Sequence, residues 1–370
     1  MQIKIAFVGD IMPGGVFVWT GGINNDVLNI LSSFDIRIGT LETAFGDGSV
    51  LCHKKNNDQL GTIIYSPDKS VEMLVNMKIT AVSLANNHSC DCDLEGLYHT
   101  MRLLDKNGIK YFGAGHNAED AAKPAVIEIN GLKICLLGYL QEYYYIYRGV
   151  GYRPTDCLGG VNFYNLEKVI SDVKYYKQQC DYVFVMPHWG KEGSIYPRLN
   201  EIQDARRIID AGADGVIGSH AHVVQPIIRY KRGLIAMNLG NFAFPDRYVT
   251  KPRISSYPTR EERSEIVPVV SSFRVVDSLS YKKIAGKERL GTIMGVLLDG
   301  HEISYKEYRT ELSKTNFVVL RRDCSFRERI RNYYVHCLIK EKRDILYKLH
   351  LKVRTLLKHI RKKIIRVSGA

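Results

Sequence analysis

Ile3-Lys4-Ile5-Ala6-Phe7-Val8-Gly9-Asp10 is a short apolar run that ends on a glycine and a carboxylate. It is too short for a secretory leader and reads as a first β-strand. The same arrangement returns four times: in Ile38-Gly39-Thr40-Leu41-Glu42, in Val82-Ser83-Leu84-Ala85-Asn86-Asn87-His88, in Phe184-Val185-Met186-Pro187-His188-Trp189-Gly190 and in Val216-Ile217-Gly218-Ser219-His220-Ala221-His222. Each places a carboxylate, amide or imidazole straight after a strand-like segment. In layered α/β folds the loops from several strands converge at the carboxyl ends. Five polar groups distant in sequence can therefore meet in space.

The rest of the chain fits that frame. Candidate strands at Ile3–Val8, Ile36–Gly39, Ala81–Leu84, Lys133–Leu137, Val183–Met186, Gly215–Ile217 and Leu234–Asn238 alternate with helical segments. The helices are expected at Val71–Met77, Leu94–Asn107, Leu166–Gln179 and Asn200–Ala211. Alternation of this kind specifies a layered α/β domain. Asn130-Gly131 between two apolar runs predicts a hairpin, so the sheets are mixed rather than purely parallel.

Apolar residues make up 45% of the 370, enough to bury a sizeable core and to exclude a disordered chain. Tyr outnumbers Phe by 23 to 12, which suits polar polymer ligands as well as half-buried surface positions. Eight scattered cysteines without a CxxC pair point to a reduced, cytoplasmic protein. No apolar stretch is long enough to span a bilayer.

The net charge of +13 is concentrated near the C-terminus. There Leu346, Leu349, Val353, Leu356, Ile360 and Ile364 recur at helical spacing among Lys and Arg. We read residues 1–310 as the catalytic-type domain and 311–370 as a basic amphipathic helical tail. Such a tail can lie on an anionic membrane surface, or dock on the domain or on a polymerase subunit. Nucleic acid is the least favoured anionic partner, because the excess sits on this appended segment. Three polar loops, Gly46–Gly61, Tyr143–Gly160 and Pro245–Pro268, follow motif-bearing segments and are expected to face substrate. Their Arg148, Arg153, Arg247 and Arg253 suit an anionic ligand.

The candidate site is then Asp10, Glu42, Asn87, His88, His188, His220 and His222. Oxygen and nitrogen donors without thiolate suit Mn, Fe or Zn. His220-Ala221-His222 is the most specific local signal, because a tight turn after the strand would bring both rings to one metal pair. Each residue has a plain structural alternative as a turn, cap or core residue. Recurrence at five strand ends favours a shared site. Trp189 is expected to pack beside it, and Asn241 to support a ligand or a turn. Asp91 either orients His88 or starts the following helix.

The order GD, LE, ANNH, HWG, GxHxH and LGNF, the last at Leu239-Gly240-Asn241-Phe242, resembles the CapA, or poly-γ-glutamate capsule-synthesis, family. Gly113-Ala114-Gly115, Ala211-Gly212-Ala213-Asp214 and Val223-Val224-Gln225-Pro226 extend the likeness, which covers about Lys4 to Phe244. That family is related to calcineurin-like metallophosphatases. The resemblance implies a four-layer α-β-β-α sandwich with two divalent metal ions bridged by Glu42. Asn87, His188 and His220 would complete one ion and Asp10 and His222 the other, with His88 as the acid. It also implies a metal-dependent hydrolase acting on an anionic cell-surface polymer or its precursor. The alternative is a non-catalytic, membrane-associated capsule assembly factor. Three departures bear on the choice. Asp10-Ile11-Met12 has Met where related phosphatases often have His, Ser219 and Ala221 stand where the family commonly has His and Pro, and Cys92-Asp93 replaces an aromatic-glycine pair.

Overall fold

The computed structural model describes residues 2–20, 22–51, 62–142, 152–251, 254–264, 266, 268–269, 278–284, 286–300 and 302–321, with isolated tail positions 333, 347, 349, 350, 352 and 353. Two large sheets form its centre. The first has eight strands, in the order Val318–Leu320, Ile303–Leu312, Leu290–Leu298, Ile3–Ile11, Ile36–Leu41, Ala81–Ser83 and Lys110–Phe112, with Asn241–Ala243 paired alongside Ile3–Ile11. The second has six, in the order Ile227–Tyr230, Gly233–Ala236, Gly215–Ile217, Tyr182–His188, Leu132–Leu140 and Ala125–Ile129.

Both sheets are mixed. The strands that open on the motifs pair in parallel. The hairpin joining Ala125–Ile129 to Leu132–Leu140 pairs antiparallel. Its turn holds Asn130 and Gly131 at φ of 51° and 78°, the left-handed conformation that these two residues tolerate best.

Side-chain alternation builds the layers. Ile3, Ile5 and Phe7 of the first sheet face Ile134, Leu136 and Phe184 of the second in one buried cluster. Phe7 and Phe184 meet at a ring distance of 5.0 Å. The opposite face of the first sheet carries Ala6 and Val8, which pack with Val27 and Leu31 of helix Asn25–Ser32 and with Leu97, Met101 and Leu104 of helix Asp93–Lys106. On the outer face of the second sheet, Cys135, Leu137, Val183 and Val185 pack with Val169 and Val173 of helix Leu166–Tyr176 and with Ile202, Ala205 and Ile208 of helix Leu199–Asp210. The chain is thus an α-β-β-α sandwich. Burial on both faces explains why its strands read as nearly unbroken apolar runs.

The sheet runs through the expected boundary at residue 310. Ile303–Leu312 crosses it, and Val318–Leu320 pairs with that strand as the sheet edge. Most of the basic tail, including Leu346, Leu356, Ile360 and Ile364, lies outside the described residues. Within it, Tyr347 is buried and donates its hydroxyl to the Pro197 carbonyl at 2.8 Å. Leu349 and Val353 are exposed. Among the described residues no helix is long and apolar enough to cross a membrane.

Candidate metal centre

The strand ends converge as the topology requires. Asp10 lies near the end of Ile3–Ile11, where its neighbour Asn241 sits opposite on the parallel strand. That strand comes unusually close: a Cβ on Gly9 would lie 1.8 Å from the Gly240 carbonyl oxygen. Only glycine permits the approach that lets the Asp10 amide bond to the Gly240 carbonyl at 3.0 Å. Glu42 follows its strand directly and is fully buried. The Asn86-Asn87-His88 loop is clamped against the Glu42 strand, because Asn86 Nδ2 donates to the Leu41 carbonyl at 2.7 Å and Asn86 Oδ1 accepts the His88 amide at 2.9 Å.

His188 ends its strand, and a bridge to Ser219 brings the double-histidine turn beside it. His220 and His222 have φ of 90° and 55°. Two non-glycine residues in left-handed conformation hold strain of order 1–3 kcal/mol each, a pattern found where function over-determines the backbone. The turn brings the two rings to the two ligand clusters that share Glu42.

Two clusters of ligand atoms result, each with its atoms within 4.8 Å of one another. One is Glu42, His188 and His220; the other is Asp10, Glu42 and His222. Glu42 belongs to both. Around His188 Nε2 stand Asn87 Oδ1 at 2.7 Å, His220 Nδ1 at 3.1 Å and Glu42 Oε1 at 3.8 Å. His222 reaches Asp10 Oδ2 with Nδ1 at 3.5 Å and Glu42 Oε1 with Nε2 at 3.4 Å.

The supporting contacts set the ring orientations. Ser219 Oγ lies 2.8 Å from His188 Nδ1, which turns Nε2 toward the cluster. Asn241 donates Nδ2 to the Glu288 carbonyl at 2.8 Å, so its Oδ1 is the atom facing His222 Nδ1 at 2.9 Å. This assignment puts the His222 proton on Nδ1 and the Nε2 lone pair toward Glu42. Asp91 Oδ2 lies 2.6 Å from His88 Nδ1 and also accepts the Ile64 amide at 2.6 Å. Of the two roles open to it, Asp91 therefore orients His88, whose Nε2 lies 3.9 Å from Glu42. Helix Asp93–Lys106 begins at Cys92 without a side-chain cap.

The electrostatics match a cation site. Burial pushes the Asp10 carboxyl up to about 6, against the pull of His222 and the His220 amide. Burial drives His188 well below the usual imidazole range, helped by the neighbouring histidines, and lowers His220 to about 4 despite Glu192. Both rings are therefore neutral at physiological pH, the form in which imidazole binds a metal. Asp10 Oδ1 is sealed from solvent with no hydrogen-bond partner among the described residues. A buried carboxylate oxygen without a partner, beside neutral imidazoles, fits an electropositive ion.

The other expected residues divide. Trp189 is buried in the helix-side core of the second sheet and donates Nε1 to the Met237 carbonyl at 3.2 Å. Met12 is fully buried in the core on the helix side of the first sheet. Arg247 is 4% exposed near the cleft. Arg153 ends in a surface pair with Glu142 at 2.6 Å and lies over the Phe163 ring. Arg148 and Arg253 lie outside the described residues. No site role fell to Asn86, Ser219 or Glu192 from the sequence, although Ser219 stood out as a departure from the family pattern. Glu192 follows the HWG motif by two residues, and burial would raise its carboxyl. The charges of His220, His222 and His88, with Lys282, outweigh that and hold it below the usual range. Its nearness to a motif was the one available signal.

The profile described as "Bacterial capsule synthesis protein PGA_cap" matches residues 4–246. The chain belongs to the PGA_cap family. The matched span holds every residue of the two ligand clusters. Family relatives include the PGA biosynthesis protein CapA of Bacillus subtilis, 31% identical over 69% of this chain and 66% of its own length. The capsule biosynthesis protein CapA of Bacillus anthracis is 30% identical over 73% of this chain and 67% of its own. The chain thus spans about two thirds of these PGA_cap relatives. Among solved structures, a putative 5'-nucleotidase from Staphylococcus aureus in complex with alpha-ketoglutarate aligns with 92% of this chain and 58% of its own, at 13% identity and a TM-score of 0.45.

Proposed function

We propose that this PGA_cap protein is a metal-dependent hydrolase in the biosynthesis or trimming of an anionic capsular or cell-surface polymer, a poly-γ-glutamate or an anionic polysaccharide. The observation that carries the reading is the pair of ligand clusters sharing the buried Glu42. Glu42, Asn87, His188 and His220 would hold one ion, and Glu42, Asp10 and His222 the other; the donor set suits Mn, Fe or Zn. When bound, such a pair supplies Lewis acidity and a water acidified toward neutrality.

The chain's own groups do the remainder. His188 and His220 stay neutral and present lone pairs, because burial disfavours their charged forms. Asp91 holds His88 with Nε2 toward the cleft, placed to protonate a leaving oxygen or nitrogen. The ligands serve phosphoester or amide cleavage equally. The polymer context draws support from the capsule and PGA biosynthesis names of the relatives and from the basic excess of the chain.

Elemental analysis of gently purified protein tests the centre. About two Mn, Fe or Zn per chain are expected, with loss in Glu42→Ala and His220→Ala. Turnover of a phosphoester or a γ-glutamyl amide by the loaded protein would complete the case. A fully loaded protein inert toward both bond classes sinks the hydrolase reading. The buried Met12, which adds no second ligand to the first strand, favours a rival, the non-catalytic membrane-associated assembly factor. The exposed Leu349 and Val353 of the basic tail are compatible with its membrane or polymerase contact. On that reading His88→Gln is harmless to polymer assembly, and removal of residues 322–370 is not.

A further inference from the structure

Arg247 opens a short strand, Arg247–Thr250, that follows strand Asn241–Ala243 in the chain and pairs antiparallel with Ser280–Lys282. Its side chain is 4% exposed, and Nε has no hydrogen-bond partner among the described residues. Buried guanidinium N–H groups are normally paired with an acceptor, so the unpaired Nε–H of Arg247 calls for one. The adjacent carboxylate is not that partner. Asp246 is taken up by Tyr281, Asn316, Arg289 and the Ile284 amide.

The surroundings of Arg247 locate the gap. Its guanidinium carbon lies 5.8 Å from the Phe244 ring centre, and Phe244 packs edge-on against His222 at 5.2 Å. Glu42, Tyr257, Glu192 and Glu288 act on it through space, with no hydrogen bond among those interactions. Arg247 therefore borders the same cleft as Glu42 and His222. Directly across the ladder stands Lys282, which also acts on Glu192. Opposed residues of an antiparallel pair share a face, and two cations there repel each other. Glu192 acts through space on both.

From this geometry we infer that Arg247, with Lys282 beside it, forms a subsite for an oxyanion of the substrate, a carboxylate or a phosphate, next to the group held at the ligand clusters. The planar fork of Arg247 supplies paired N–H donors to two oxygens, and Lys282 adds a point charge at the cleft side. The subsite deepens the hydrolase reading and rests on it only in taking the Glu42 cleft as the place where substrate lies.

The test uses the full chain, treated with chelator, titrated calorimetrically with inorganic phosphate and separately with glutarate. At least one anion should bind, and Arg247→Met should weaken it tenfold or more. Whichever anion binds identifies the chemical class. Without anion, Arg247→Met should melt at a higher temperature than wild type, because it removes a buried charge while keeping an unbranched side chain. A purely structural arginine would give a lower melting temperature. If Arg247→Met does not fold, Arg247→Lys takes its place, and the same tenfold loss is expected because the fork is gone. Equal affinities in wild type and variant, or no binding of either anion at tens of millimolar, overturn the inference. Metal uptake is measured on portions of the same preparations after the chelator is removed and Mn or Zn is added. Arg247-dependent anion binding without any metal uptake would sink the hydrolase reading alone, and metal uptake without an Arg247 effect would sink the subsite alone.

Discussion

Replacing Asp10 with Asn should stabilise the metal-free protein and weaken the metal-loaded one. Asp10 is fully buried, and its carboxyl is raised from 3.8 to about 6. A rise of about two pKa units corresponds to about 3 kcal/mol of penalty on the ionised form in the fold. The unfolded chain carries no such penalty. With a raised folded pKa, the favourable contribution is present in full below about pH 4 and is lost as pH rises through about 6. Asn keeps the shape and the oxygen that accepts the His220 amide at 3.3 Å, and removes the charge. In chelator near pH 8, Asp10→Asn should therefore exceed wild type by about 3 kcal/mol, a gap that closes between pH 6 and pH 4. His188 and His220 titrate in both proteins and largely cancel in the difference. Saturating Mn or Zn should reverse the order, since a ligand at about a thousandfold its Kd stabilises the native state by about 4.1 kcal/mol. Urea unfolding followed by circular dichroism across this pH range is the assay. A gap independent of pH, or a less stable variant at pH 8 in chelator, would refute the account of Asp10 as a charge waiting for a cation.

Three further outcomes follow from particular contacts. Gly9→Ala forces a Cβ to within 1.8 Å of the Gly240 carbonyl oxygen, so the strands must part; a loss of about 4 kcal/mol or more is expected, read as a fall in the urea midpoint or as insoluble protein. Phe7→Ala empties the middle of the sheet–sheet interface against Phe184 and should cost about 3–5 kcal/mol in chemical denaturation while metal content per folded chain stays unchanged. His88→Gln should lower kcat by roughly 10²–10⁴-fold on any substrate the wild type turns over, with metal content intact by elemental analysis; an equal loss of metal would make His88 a ligand instead.

The strands and the layers were readable because burial on both faces leaves an unmistakable apolar run, as in Ile3–Val8 and Val183–Met186. Ligand types were readable too, since each of Asp10, Glu42, His188 and His220 closes or follows such a run. Element ends were less so. The first strand continues through Asp10 to Ile11, because pairing with Asn241–Ala243 supplies partners that no local pattern announces. The sheet's edge strand, Val318–Leu320, lies past the expected boundary at residue 310, since three residues at a sheet edge carry too short a pattern to read.

By itself, the sequence determined which residues could bind a metal, the alternation that builds two sheets between helices, and the family to which the chain belongs. These are local properties: side-chain chemistry, periodicity of two or 3.6 residues, and motif spacing. Only the tertiary structure decided that Glu42 is shared by both clusters, that Asp91 and Ser219 orient His88 and His188, and that Arg247 is buried beside them. Those facts depend on which strand ends lie next to one another across the two sheets and on where the chain beyond the second sheet returns. Contacts between residues as far apart as Asp10 and His220 are set by that packing and leave no trace in the neighbourhood of either.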